Sequence, residues 1–432
     1  LHYLNGKITI NQFQKLHPEK WFDYFNSKNK ISDFYLKFEE IFSKEIESRL
    51  PNDVPYFTAL SGGIDSSVLA YFISKTKRQN VQTIFGISTP DQEQKLGNYI
   101  SELESSYYVA KKFNFNHSHI YLNNNDSVKD LEYAASNSFD GCIDSGVANF
   151  SGLSKYLRKM NSKVMLFSEG PDEFLGGYLA DVDANKIDNI MKPGKIFNFL
   201  KYLTKSTYGK KVLSSILQLK KNREFEFSYD PFYTRVNHMV SPNTFLEKVI
   251  ENYDSSKFYD FGLPDPSYRD VMKKMDLTQI RALNYASKTL PDMFNLRLDK
   301  AFMQYSVEVR LPFQSVALSE FFIGMPSKFR FEKDFGKVFL RNYVNKNIDH
   351  SISSRPKKGM GNYLWSNINI YKALNFEEII MNSDFFKSYP FKKNIVKILL
   401  DKKTHPGNKW TIFSFIKTFE NLKDINKNKL GS

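Results

Sequence analysis

Ala59-Leu60-Ser61-Gly62-Gly63-Ile64-Asp65-Ser66-Ser67 lies between an apolar run, Tyr56 to Leu60, and a segment from Asp65 to Ser74 whose apolar residues recur at helical spacing. A strand ends, two glycines turn the chain, and a helix begins. Glycine lets a backbone approach a ligand closely. The unpaired N–H groups and aligned peptide dipoles of a helix start attract an anion. Ser61, Ser66 and Ser67 add hydroxyl donors, so the stretch predicts a phosphate cradle. Asp65 would repel a phosphate on its own, and a Mg²⁺ ion bridging its carboxylate to phosphate resolves that conflict. The loop lacks the Gly-Lys-Ser/Thr ending of a Walker A motif and the three glycines of the dinucleotide fingerprint.

Outward from this loop the chain alternates. Strands are expected at Tyr56 to Leu60, Val81 to Ile87, His119 to Leu122 and Val164 to Phe167. Helices are expected at Asp65 to Ser74, Glu102 to Phe113, Val128 to Ala135 and Ser151 to Met160. Strand–helix–strand repetition predicts an α/β fold with a parallel sheet and right-handed crossovers. A helix precedes it from Phe34 to Leu50, where Phe34, Phe38, Ile41, Phe42 and Ile46 share one face. Beyond about residue 185 the pattern turns helical, over 195–204, 210–221, 243–251, 269–285, 315–323, 334–347, 371–381 and 409–420. The organisation expected is a leader or remnant linker (1–30), a nucleotide-binding α/β core (31–184) and a large, mainly helical C-terminal elaboration (185–432).

Composition narrows the function classes. The 432 residues are 41% hydrophobic and 25% charged, enough apolar material for a sizeable core and too much for global disorder. The single cysteine, Cys142, excludes a disulfide framework, a cysteine-ligated zinc site and a CxxC redox pair, which suits a reducing cytoplasm. No run of about 18 apolar residues is present, so no membrane span is expected, and LHYLNGKITI has no basic region followed by an apolar core, so no signal peptide is expected in it. The net charge of +14 fits a nucleic acid, an anionic membrane, a polyanionic small ligand or a solvated basic surface. The lysines clustered between 201 and 221 read as an exposed helical face.

A second motif follows the fourth strand: Ser168-Glu169-Gly170-Pro171-Asp172-Glu173-Phe174-Leu175-Gly176-Gly177-Tyr178. It sets three carboxylates beyond a strand's C-terminal end, where ligands bind in open α/β sheets. Together the two segments resemble the asparagine synthetase and β-lactam synthetase group of the PP-loop ATP pyrophosphatases, whose members carry SGGxDSS-like and GEGxDExFGGY-like stretches. The resemblance runs in order over about residues 31 to 420. It implies the PP-loop fold, ATP and Mg²⁺ as cofactors, adenylation of a small carboxylate with release of pyrophosphate, and transfer of the acyl group to ammonia or an amine. Under it, Leu60, Ser61, Gly62, Gly63, Asp65, Ser66, Ser67, Ile87, Phe167, Ser168 and Gly170 line the nucleotide. Asp65 and Asp172 share the metal, Glu169 orients or deprotonates, and Lys357 stabilises developing charge. Phe167-Ser168 stands where the family has Ser-Gly, which places Phe167 at the adenine pocket.

Weaker segments extend the likeness. Leu290-Pro291-Asp292 through Asp299-Lys300, then Met303 to Phe313, resemble a helical segment of the family; Glu308 and Arg310 are expected to form a buried ion pair there. Gln314 and Ser315 replace the family's Leu and Asp. Arg355-Pro356-Lys357-Lys358-Gly359-Met360-Gly361 resembles RxKxGFG. Asp140, Asp144 and Ser145 lie where the family lines its acceptor side, with Gly141-Cys142 in place of Glu-Pro, and Glu104 and His117 fall where members carry similar residues. Glutamine-dependent members begin with a glutaminase domain bearing an N-terminal cysteine, so here such a domain is expected to be separate or removed. The alternatives are the same chemistry on another substrate (β-lactam or lasso-peptide ring closure, or sugar-acid amidation), a PP-loop enzyme acting on tRNA, and a non-catalytic relative; the second motif argues against the nucleic-acid reading.

Overall fold

A computed structural model describes residues 2–4, 7–9, 15–27, 30–76, 80–87, 102–121, 129, 132–133, 135–136, 147–190, 225–226, 235–236, 248–252, 266–355, 375–392, 394–401, 404 and 406–430. Its centre is a sheet of five parallel strands: β1 (Tyr56–Ala59), β2 (Gln82–Ile87), β3 (Asn116–Tyr121), β4 (Val164–Leu166) and β5 (Glu308–Arg310). The spatial order is β3-β2-β1-β4-β5. Phe57 of β1 pairs with Gln82 on one side and Met165 on the other. Strand order therefore reverses between β1 and β4, and the C-terminal ends of these two strands are where ligands bind in open α/β sheets.

Period-two alternation distributes the strands between two cores. Val164 and Leu166 face one core with Leu60, Ile64 and Val68; Met165 and Phe167 face the other with Phe57 and Ile84. Helix α1 (Ile31–Arg49) lays Phe34, Phe38, Phe42 and Ile46, all fully buried, against the first core. Each such side chain contributes about 1.5–3 kcal/mol of burial. Helix α2 (Ile64–Ser74) is apolar on nearly every side and lies inside this core. Helices α3 (Glu102–Lys112) and α4 (Val147–Lys159) connect the outer strands, α5 (Pro171–Leu175) and α6 (Leu179–Ile190) follow β4, and α7 (Leu277–Asn284) runs into an eleven-residue π-helix, Tyr285–Asn295, before α8 (Leu296–Met303). Helices α9 (Val316–Gly324) and α10 (Val338–Asn347) complete the first core, and α11 (Pro406–Leu430) brings Trp410, Phe413 and Ile416 to the second.

The strands and helices expected from the sequence around β1, β2, β4, α1, α2 and α3 are present within a few residues. Three expectations change. Met303 to Phe313 is not a continuation of a helix: Val307 and Val309 favour extended backbone, and Glu308–Arg310 joins the sheet as its fifth strand, Leu166 opposite Arg310. The helix expected over 269–285 is two, because the Asp276 side chain accepts from Gln279 N, and the Gln279 side chain returns a bond to Asp276 N, in a capping box that starts α7. The helix expected from 334 starts at Val338, after a turn in which Glu332 and Phe335 pair and Lys337 takes φ +57°. Residues 15–27 of the expected leader are docked: His17 N donates to Glu320 Oε1 at 2.7 Å, and Trp21 meets Phe321 edge-on with ring centroids 5.1 Å apart. The helices expected at 195–204 and 210–221 lie outside the described residues. No helix among the described residues is long and apolar enough to cross a membrane.

Candidate functional site

The first loop joins β1 to α2. Gly62 takes φ +75°, and a Cβ there would collide with the backbone of Ser105, so the tight turn requires glycine. Ser67 N makes the first helical bond, to Gly63 O at 2.9 Å. The donors before it lie at the open end of α2, where the dipole favours an anion. The Ser61 and Ser66 hydroxyls lie 3.1 Å apart, and Ser66 Oγ donates to Gly63 O at 3.2 Å. Ser67 Oγ is buried with no hydrogen-bond partner among the described residues.

The second loop joins β4 to α5. Gly170 takes φ +124° and Gly176 φ +77°. A Cβ on Gly177 would overlap the Asp172 carboxylate, and one on Gly336 would overlap the Gly176 backbone. Gly336 thus lets the turn before α10 lie directly on the Gly176 backbone, while Gly176 leaves room for the Phe331 ring. Lys337 N donates to Leu175 O at 2.9 Å, which fixes the contact.

That packing delivers a cation. Lys337 Nζ lies 2.7 Å from Asp65 Oδ2 and 2.7 Å from Asp172 Oδ1. The side chains are 6%, 18% and 24% exposed, so the attraction is poorly screened. Burial pulls the lysine pKa down, but Asp172 and Asp65 more than offset it, so the ammonium stays charged with a raised pKa. The two aspartates singled out in the sequence therefore point at one place. Lys337 itself was missed: it sits on a left-handed turn inside an expected helix, and only the neighbouring Gly336 hinted at close packing.

Around this centre, Glu169 Oε1 lies 3.7 Å from Arg297 Nη2, and the Arg297 guanidinium lies over the rings of Phe150 and Phe294 at 5.1 and 4.9 Å. Glu173 is 2% exposed; burial first, then Asp172 and Glu169, push its pKa up to about 8, while the Tyr178 hydroxyl donates to it. Behind Tyr178, Arg281 Nε donates to Asp181 Oδ1 at 2.8 Å and Arg281 Nη2 to Tyr285 Oη at 2.7 Å. Glu173 is one of the three carboxylates of the second motif, whereas Arg297 carried no sequence signal separating it from ordinary surface charges.

Several site expectations land elsewhere. The Phe167 ring is 7% exposed and packs edge-on against Phe150 and Phe302, centroids 5.6 and 5.3 Å away, so it belongs to the second core and does not fill a nucleotide pocket. The period of two along the strand is the reason, since it puts Phe167 on the same face as Met165. Glu308 and Arg310 do pair, at 2.9 Å, but on the edge strand with Glu308 58% exposed; Arg310 Nη1 also donates to Arg49 O at 2.7 Å and ties the end of α1 to the sheet. Ser315 accepts from Leu318 N and caps α9, a task that Asp and Ser share, so its replacement of the family's Asp has a structural reason. His117 is lodged between Thr83 Oγ1 and Ser106 Oγ, 2.9 Å from each, with its pKa held near 4 by burial and His119. Leu60 is buried below the first loop, Ser168 and Gly170 stand at the end of β4, and Ile87 ends β2. Lys357, Asp140, Asp144, Ser145 and Cys142 lie outside the described residues.

A metal centre needs hard oxygen donors. Asp65 and Asp172 supply two carboxylates facing one cation position, a donor set that suits Mg²⁺ when phosphate oxygens and water complete it. No group of three or more His, Cys, Asp or Glu side chains among the described residues forms an all-protein metal site.

Comparison with known proteins gives the same direction. Residues 37–416 match the family model Asparagine synthase. The chain is 24% identical over 371 residues to the glutamine-hydrolyzing asparagine synthetase 2 of Bacillus subtilis, covering 82% of this chain and 43% of that protein. It is 25% identical over 183 residues to asparagine synthetase B of Escherichia coli (39% and 31%), and 27% over 198 residues to a probable asparagine synthetase of Dictyostelium discoideum (41% and 33%). The chain thus spans less than half the length of these curated relatives. With the five-stranded parallel sheet, the two loops at its switch point and a family match over most of its length, the chain belongs to the asparagine synthase family.

Proposed function

We propose that this chain is an ATP-dependent, AMP-forming amide ligase that activates a small carboxylate and transfers it to ammonia or an amine. The observation that carries this reading is the convergence of Asp65 and Asp172, from two different loops, on the Lys337 ammonium at the sheet's switch point. A site with buried cation and carboxylates side by side above an anion-binding helix start is suited to a nucleotide polyphosphate.

In this reading the β- and γ-phosphates of ATP lie on the N–H groups and hydroxyls of Ser61 to Ser67. Asp65 and Asp172 would hold Mg²⁺, which when bound neutralises phosphate charge and makes pyrophosphate a better leaving group. Lys337 moves from the carboxylates toward the phosphate oxygens, so the positive charge stays in the site. The substrate carboxylate oxygen attacks the α-phosphorus, and the bond to the pyrophosphate oxygen breaks. The amine nitrogen then attacks the acyl carbon, its proton passes to Glu169, and AMP leaves. Arg297 orients the Glu169 side chain, and Lys357 offsets the negative charge on the transferring group. Holding both reactants in one site supplies roughly 7–11 kcal/mol of the barrier reduction.

The test is substrate-dependent release of AMP and pyrophosphate from ATP, with a panel of carboxylates in the presence of ammonia. AMP formation with aspartate identifies an asparagine-forming enzyme; AMP formation only with a β-amino acid, a peptide acid or a sugar acid assigns the same chemistry to another substrate. Gly141-Cys142, in place of the family's Glu-Pro, is the feature that favours the second result. Release of no AMP with any carboxylate, despite tight ATP binding, refutes the ligase reading.

A further inference from the structure

Arg355 stands against the outside of the first loop and has no part in the chemistry above. Its Nη1 donates to the Gly62 carbonyl at 2.6 Å. The Gly62–Gly63 peptide is trans, so its C=O and N–H point in opposite directions. With the oxygen held by Arg355, the Gly63 N–H is turned the other way, toward the Ser61 hydroxyl at 3.4 Å, a distance too long for a strong bond. A peptide between two glycines has little intrinsic preference for one orientation over the flipped one. The flipped form would present a carbonyl oxygen to an incoming anion.

Arg355 is itself braced. Its carbonyl and that of Ser353 accept from Arg341 Nη1 at 3.1 and 2.9 Å, and Arg341 Nε donates to Gly336 O at 3.3 Å, one residue before Lys337. The Arg355 guanidinium lies over the Tyr108 ring at 5.7 Å. The Tyr108 hydroxyl donates to Asp349 Oδ2 at 2.7 Å, which also receives Lys112 Nζ at 2.9 Å. Arg341 thus connects the turn that carries Lys337 with the segment that carries Arg355.

We propose that Arg355 is a positioning residue of the phosphate loop: it locks the Gly62–Gly63 peptide with its N–H toward the bound anion and polarises that N–H from behind. The proposal rests on the reading that this loop holds the pyrophosphate part of ATP. It acts on the phosphate tail alone, which separates it from a merely structural role.

The experiment is calorimetric titration of the full chain and its variants with Mg-ATP, inorganic pyrophosphate and AMP. R355M is expected to bind pyrophosphate and ATP roughly tenfold to a hundredfold more weakly, the loss expected for one charge-assisted hydrogen bond. AMP affinity is expected to stay within about twofold of the parent. R355K is expected to recover most of the loss, because an ammonium can donate to the same carbonyl. R355Q is a second neutral variant with the same expectation as R355M, should R355M fail to fold. A parent chain that binds neither ATP nor pyrophosphate overturns the site reading and this proposal together. A parent chain that binds both, beside neutral variants that bind pyrophosphate equally well or lose AMP in the same proportion, overturns the role of Arg355 alone.

Discussion

The loop from Ser61 to Ser67 draws its positive potential from its own backbone, whereas the loop from Ser168 to Gly177 gathers carboxylates and takes its counter-charges from remote helices. The backbone donors of the first come from one short stretch: a strand end, two glycines and a helix start. The second is assembled from Lys337 at the start of α10 and Arg297 on α8, far away in the chain. Local geometry makes an anion site cheaply, because helix N–H groups are unpaired there anyway. Clustered carboxylates need partners brought in by tertiary packing, because several like charges cannot share a poorly solvated space unaided.

The variant that strains this contrast most is K337M. It leaves Asp65 and Asp172 facing each other without the ammonium, and breaking such a buried pair costs about 3–5 kcal/mol. Urea unfolding of the ligand-free protein measures it, and added Mg²⁺ is expected to restore part of the loss if the two aspartates are a metal pair. A change below about 1 kcal/mol would place Lys337 among surface ion pairs.

G62A probes the local loop. A side chain at φ +75° costs about 1–3 kcal/mol in backbone strain, and the collision with Ser105 adds to it. The expected result is a lower melting temperature together with loss of pyrophosphate binding, whereas K337M is expected to keep the loop's shape.

Glu173 supplies a pH test of the second loop. Its folded pKa, about 8, is raised above the ordinary 4.5, so the stability its protonation contributes is present in full below pH 4.5 and is lost as pH rises through 8. Relative to the parent, E173Q is expected to gain stability progressively between those values in thermal melts taken across the range. A parallel pH dependence in both proteins would show that Glu173 titrates normally.

The smallest effect is expected at the edge of the sheet. E308Q removes the partner of Arg310, but Glu308 is 58% exposed and water screens the pair, so stability is expected to move by no more than about 0.5 kcal/mol. A larger loss would mean that Arg310 depends on Glu308 to hold Arg49 O and the end of α1.

Legibility in the sequence follows the same division. The order β1-loop-α2, the apolar face of α1 and the carboxylates after β4 were readable because each rests on periodicity or turn chemistry within about a dozen residues. The fifth strand was not readable: Glu308–Arg310 is short, follows a helical segment, and becomes a strand only because β4 offers it an edge. Phe167 was read as a pocket residue from its place in a motif, although the period of two already set its ring on the face of Met165, opposite Leu166. Ser315, which stands in place of the family's Asp, caps α9 through its own side chain, and that role shows only once α9 is seen to start at Val316.

By itself, the sequence determined the α/β class, the glycine turn between β1 and α2 and the carboxylates that follow β4, since those properties depend on neighbours in the chain and on backbone hydrogen bonds that every such stretch must make. Tertiary structure alone decided where the charge balance comes from. Lys337 reaches Asp65 and Asp172 from a turn that Gly336 lets lie on the Gly176 backbone, and Arg355 reaches Gly62 from a backbone that Arg341 holds. Coulomb attraction depends on distance in space, and no local pattern in the chain encodes that distance.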